Sequence, residues 1–181
     1  MAVAKRKTGT TSLNHHGVRA AMLIAAEILQ EAWASSQLQV MGAILPDDFG
    51  SVQVTRRRDK ATLAKVTSPE GMGGFATTLK RLAWRHRADK QTGPLYPITE
   101  LSHDDVCSLV NRTGQLLKEL EVDSRFRVVG TIWPAGDGTV HLFDEEAEGD
   151  DRMPATLHLR GQIDPWEQTV RDIVTGGTQV V

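Results

Sequence analysis

"VMGAILPDDFG", residues 40–50, returns as "VVGTIWPAGDG" at residues 128–138. In each stretch apolar residues occupy every second position up to a proline, and a glycine four residues later opens another alternating run. A period of two that stops at Pro46 or Pro134 and resumes at Gly50 or Gly138 predicts a β-hairpin. Leu38, Val40, Gly42 and Ile44 share one face of the first strand, and Phe126, Val128, Gly130 and Ile132 share one face of its counterpart. On that face Gly42 and Gly130 leave room for a helix to pack closely. Second strands follow around "SVQVT" (51–55) and "TVHLF" (139–143).

Outward from these hairpins, a shift of 88 positions aligns residues 11–54 with 99–142 without a gap, and 13 of the 44 pairs are identical. Average composition gives about three matches by chance, so duplication is the better account. After a six-residue insertion the match resumes with "ATL", at 61–63 and again at 155–157. Upstream of each hairpin, Val18, Ala21, Met22, Ala25, Ile28, Leu29 and Ala32, and then Val106, Leu109, Val110, Thr113, Leu116, Leu117 and Leu120, recur at helical spacing. Asn14 and Ser102 stand where an N-cap belongs, and Ser102 with Asp105 resembles a capping box. His15 and His103 then fall in the first helical turns and are read mainly as structural. Third strands are expected at about 60–67 and 154–162, followed by helices over "GGFATTLKRLAWRHRAD" and "DPWEQTVRDIV", the latter started by Asp164-Pro165. The glycine cluster "GMGG" (71–74) reads as a loop, since it lacks the Lys-Ser/Thr ending of a phosphate-binding P-loop.

The expected fold is α+β: a tandem duplication of an α-β-β-β-α unit, with antiparallel three-stranded sheets that each carry helices on one face. Residues 1–10 form a basic N-terminal arm, 11–90 the first repeat, 91–98 a linker and 99–176 the second repeat. Two half-open sheets in one short chain either pack together or continue into one another.

With 181 residues, 40% apolar and 24% charged, the composition is that of a globular protein. No apolar run approaches a membrane-spanning length, and the basic N-terminus has no apolar core behind it for a signal peptide, so a cytoplasmic location is expected. The single cysteine, Cys107, has no partner for an internal disulfide. No nucleophile with its base, carboxylate pair or Cys/His metal spacing is apparent, and neither enzymatic activity nor a cofactor is expected. His141 with His158 supplies at most two metal ligands.

Charge separates the halves. Residues 1–94 carry 14 Lys+Arg against 7 Asp+Glu, and residues 95–181 carry 7 against 16. The turn between second and third strands is basic in the first half (Arg56, Arg57, Arg58, Asp59, Lys60) and acidic in the second (Asp144, Glu145, Glu146, Glu148, Asp150, Asp151). A charge run is commonly a solvated tip. Here Lys80, Arg81, Arg85, Arg87 and Lys90 follow on the closing helix, and Lys5, Arg6 and Lys7 precede on the arm. Arg56, Arg57, Arg58, Lys60, Lys80, Arg81, Arg85 and Arg87 are therefore the candidate nucleic-acid-binding residues.

In element order, with basic residues on a hairpin and on the last helix, the unit resembles the double-stranded RNA-binding domain. Its Gly-Pro-x-His motif and Lys-Lys cluster are replaced here by "PDDFG" and "PEGMGGFATTLKR", so the resemblance implies a topology alone. The duplicated halves of TATA-box-binding proteins are similar in the same limited sense.

On the second half's outward strand face stand Arg127, Trp133, His141, Phe143, His158 and Arg160, with His141 expected across from His158 and Trp133 on the same face as Arg160. Aromatics with arginine suit a partner-binding surface, unless the face is buried against the other half. The expected function is thus non-enzymatic: nucleic-acid binding through the basic half, with the acidic half as scaffold or partner site. The alternative is a structural protein whose oppositely charged halves join copies into homo- or hetero-oligomers, as in a larger particle.

Overall fold

Asn14 stops the chain before its first helix by accepting the Gly17 backbone N–H at 2.9 Å, and Ser102 does the same for Asp105 at 3.2 Å while Asp105 reaches back to the Ser102 N–H. These caps satisfy donors that the first helical turn leaves without intrahelical partners. They start helix α1, His15–Glu31, and helix α3, His103–Glu119, two elements of 17 residues each. A computed structural model describes residues 12–32, 34, 37–46, 49–87, 100–122, 125–134 and 138–176.

Strands β1 (Leu38–Ile44), β2 (Gly50–Arg56) and β3 (Thr62–Val66) follow α1, then helix α2 (Met72–Arg85). After α3 come β4 (Phe126–Ile132), β5 (Gly138–Asp144), β6 (Ala155–Leu157) and helix α4 (Ile163–Val174). The protein is α+β, with four helices and one six-stranded antiparallel sheet among the described residues. Bounds recur at a spacing of 88: 15 with 103, 38 with 126, and 50 with 138. Leu13 bridges Gly50, and Leu101 bridges Gly138, at the same spacing.

Of the two arrangements left open for the three-stranded sheets, packing together or continuing into one another, the second is the one that forms. The strand order is β3-β2-β1-β4-β5-β6, so β1 and β4 join the halves. Left apart, each would present a full row of unpaired backbone groups, and pairing them removes two edges at once. Gly42 lies opposite Gly130 at the centre of that joint. A Cβ added at Gly42 would overlap Met22 Sδ of α1, and one at Gly130 would overlap Val110 Cγ2 of α3. The expectation of close helix approach at these two glycines is met.

All four helices pack on this face, with α2 beside α1 and α4 beside α3. Val18, Met22, Leu29, Val110 and Leu117 from the helices join Val40, Ile44, Val128, Ile132, Val140 and Leu157 from the strands in one buried cluster. No helix among the described residues is long and apolar enough to cross a membrane.

The "ATL" match does not survive the third strand. Ala64 pairs with Val54 and Ala155 with Leu142, so Ala155 stands where Ala64 does, a spacing of 91 rather than 94. The two alternatives differ by an odd number, and an odd slip sends every side chain to the opposite face. Burial of Val66 and Leu157 selected the register over the identity of three letters. The third strands are also shorter than expected. "GMGG" is a second correction: Gly71 ends a short 3-10 turn, and Met72, Gly73 and Gly74 already belong to α2.

Candidate nucleic-acid interface

The basic hairpin turns tightly through residues 57–59, and Lys60 takes a left-handed backbone with φ of 58°. Asp59 closes the turn. Its carboxylate accepts Arg56 Nε at 3.0 Å, Arg56 NH2 at 2.8 Å and the Ala61 N–H at 3.2 Å. The Arg56 hydrogen bond foremost, with that backbone N–H, holds the Asp59 pKa down to about 2. Arg56 is therefore neutralised at home. Arg57 turns the other way, half-buried, with its guanidinium 5.5 Å from the Trp133 ring centroid. Arg58 and Lys60 remain exposed at the tip.

Helix α2 buries Phe75, Leu79, Leu82 and Ala83, which leaves Lys80, Arg81, Trp84 and Arg85 exposed. Its last turn is tied back by the Ala34–Arg87 bridge, and Arg56, Arg58, His86 and Gln37 line a single groove. The fold thus brings hairpin and helix end together. The side chains of Lys60, Lys80, Arg81 and Arg85 make no ion pair or hydrogen bond among the described residues, whereas Arg87 lies 3.8 Å over the Trp84 ring and donates to the Trp84 carbonyl. Lys5, Arg6, Lys7 and Lys90 lie outside the described residues.

At the matching place in the second half the acidic tip is closed by its own arginines. Arg125 donates to Asp144 Oδ1 at 3.0 Å and Oδ2 at 2.8 Å and reaches Glu146 at 3.5 Å; Arg127 and Arg152 meet Glu145 at 2.7 Å and 3.3 Å. Asp144 is buried, and its pKa is lowered chiefly by the Arg125 hydrogen bond. Asp144→Asn is expected to cost about 1–2 kcal/mol in a urea titration, because Arg125 is partly solvated. A depressed carboxylate pKa stabilises above the ordinary carboxylate range and stops doing so as pH falls through its folded value. The gap between wild type and variant should accordingly narrow on acidification, and a gap that stays constant as pH falls below the ordinary carboxylate range would count against this assignment.

The outward face of the sheet gathers part of the expected partner-binding set. Arg127 stacks over Phe143 at 5.1 Å. Trp133 is buried; its Nε1 donates to Gln39 Oε1 at 3.0 Å, Gln39 Nε2 donates to Thr55 Oγ1 at 3.2 Å, and the Trp133 carbonyl lies 2.7 Å from His103 Nε2. Trp133 thus clamps the halves together through β1, and His103 supports it from α3. His141 sits across from Thr156, not His158, which follows from the spacing of 91. Its nitrogens contact Thr139 and Thr156 hydroxyls at 3.2 and 3.1 Å, and burial first, then His158, lowers its pKa. His158 is half-buried, its backbone N–H bonded to Gln162 at 3.0 Å. Arg160 is not on Trp133's face: it lies in a 3-10 turn and pairs with Asp105 at 3.3 Å, at the start of α3.

Gln39 and Thr55, polar residues on an open strand face, hold the aromatic that the pattern alone marked, and Arg125 closes the acidic tip. The detectable signal was Trp84, which falls off the apolar stripe of α2 among its cations. No group of three or more potential metal ligands occurs among the described residues. Cys107 is buried, and burial pushes its thiol up to about 12, far from a reactive thiolate. Comparisons with protein-family models, curated proteins and solved structures return no match for this chain.

Proposed function

We propose that this is a non-enzymatic nucleic-acid-binding protein that docks its first half on the phosphate backbone and uses its second half as scaffold. One observation carries the reading. The opposed hairpins are not paired alike: Arg125, Arg127 and Arg152 engage Asp144, Glu145 and Glu146 of the acidic one, while Lys60 and the helix cations beside it, Lys80, Arg81 and Arg85, have no acidic partner among the described residues. A cluster of unpaired cations repels itself, and phosphates relieve that repulsion with release of counterions.

The chain is also proposed to be a tandem duplication, supported by the 13 identities and by element bounds that recur 88 residues apart. On this view the halves diverged at the second hairpin. Head-to-tail assembly is the second reading: it needs acidic groups free to pair, and three of those at the acidic tip, Asp144, Glu145 and Glu146, are already engaged.

Fluorescence anisotropy against salt tests the binding. Five contacts, from Arg58, Lys60, Lys80, Arg81 and Arg85, correspond to a log–log salt slope of about −3.5 to −4.5. Arg58→Glu with Arg85→Glu should make the slope shallower by about two. Equal affinity and slope in the double variant would sink the proposal. Arg57 is the wrong probe, since its guanidinium packs on Trp133 and its loss perturbs the fold.

A further inference from the structure

Trp84 is the most exposed large apolar side chain among the described residues, 65% accessible on the surface of α2. Nothing in the core explains it. The buried stripe of the helix runs through Phe75, Leu79 and Leu82, and Trp84 lies off it. Along the helix its neighbours include a row of cations: Lys80 and Arg81 one turn earlier, Arg85 next in sequence and Arg87 one turn later. Helix α2 contains no Asp or Glu, although Arg81 and Arg85 stand four residues apart, where like charges destabilise a helix.

The ring is held. The Arg87 guanidinium lies 3.8 Å over it and donates to the Trp84 carbonyl at 3.1 Å, so one face is covered by a cation. With that much of the side chain accessible, the opposite face is open to solvent. At the register position 91 residues later, in the acidic half, the residue is Thr175. The aromatic belongs to the basic half alone.

We infer that Trp84 is a base-stacking platform and that the basic surface takes single-stranded nucleic acid. This rests on the nucleic-acid reading above and adds to it the class of ligand. In a duplex the base faces are stacked on one another and offer an exposed indole nothing to cover. A single strand presents them freely, and any base can stack, so the site needs no sequence readout. Lys80, Arg81 and Arg85 then follow the phosphates on either side of the stacked base, and the cation on its back face fixes the ring before binding.

The test uses the whole chain with two fluorescein-labelled probes, oligo(dT) of about 16 nucleotides and a duplex of similar length. Oligo(dT) should bind more tightly than the duplex. Trp84→Ala should weaken oligo(dT) binding by about 5- to 150-fold with an unchanged salt slope, and Trp84→Phe should restore most of it. An exposed side chain is not needed for folding, so both variants should retain the wild-type urea midpoint. Tighter duplex binding, or an unaltered affinity in Trp84→Ala, would overturn the stacking site while leaving phosphate docking intact. Competition by poly-L-glutamate as effective as by oligo(dT) would overturn it in favour of an acidic protein partner. Failure of both probes to bind would instead remove the parent reading.

Discussion

Trp166→Ala is expected to lower the folding free energy by about 3–5 kcal/mol, a large share of the roughly 5–15 kcal/mol available to a domain. Trp166 anchors α4: it is buried, and its Nε1 donates to Thr113 Oγ1 of α3 at 2.9 Å. Of α4's other residues only Val170 is buried, and the strand beside the helix, β6, has three residues. Truncation therefore removes the larger of the helix's two buried side chains and leaves the buried Thr113 hydroxyl without the indole donor. Urea unfolding followed by circular dichroism measures the loss. Trp166→Phe, which keeps the ring but not the N–H, should lose only about 1–2 kcal/mol. A loss below about 1 kcal/mol in the alanine variant would show that α4 is held by something else.

Gly130→Val should destabilise by about 3 kcal/mol or more, at the upper end for overpacking. Its Cβ alone would overlap Val110 Cγ2 and lie 3.0 Å from Val106 Cγ1 and 3.2 Å from Met22 Cε. Valine side chains on a helix have few rotamers to retreat into, so α3 itself must lift from the sheet. Gly73 and Gly74 provide the contrast, for a Cβ at either meets nothing within 4 Å. Both lie in the first turn of α2, and Gly73→Ala with Gly74→Ala should stabilise by up to about 1 kcal/mol each. Thermal melts of the three variants decide the matter. A Gly130→Val protein as stable as wild type would mean that the helix and strand layers are not in contact where Gly130 faces Val110.

How far the sequence reaches can be judged at individual residues. The alternation at Leu38, Val40 and Ile44, the caps at Asn14 and Ser102, and the bare faces at Gly42 and Gly130 were legible because each is decided within a few residues. Register at the third strand was not. It depends on which of two odd-spaced alignments buries Val66 and Leu157, and that is settled only against α2 and α4. Arg160 was misplaced with it. The basic residues were legible as a set, but their division was not: Asp59 takes Arg56 and Trp133 takes Arg57, while Lys60 and the cations of α2 find no acidic partner among the described residues.

Periodicity and capping chemistry are local, and so the sequence by itself determined the elements, their order and the electrostatic opposition of the halves. Only the tertiary structure decided that the halves share one sheet, because joining β1 to β4 satisfies two strand edges that no local pattern couples. It also decided which charges are spent within the molecule, since ion pairing depends on distances of a few ångströms between side chains far apart in the chain. Arg125 and Asp144, 19 residues apart, close the acidic tip at 2.8 Å. Arg81 and Arg85, four residues apart, meet no acidic partner among the described residues.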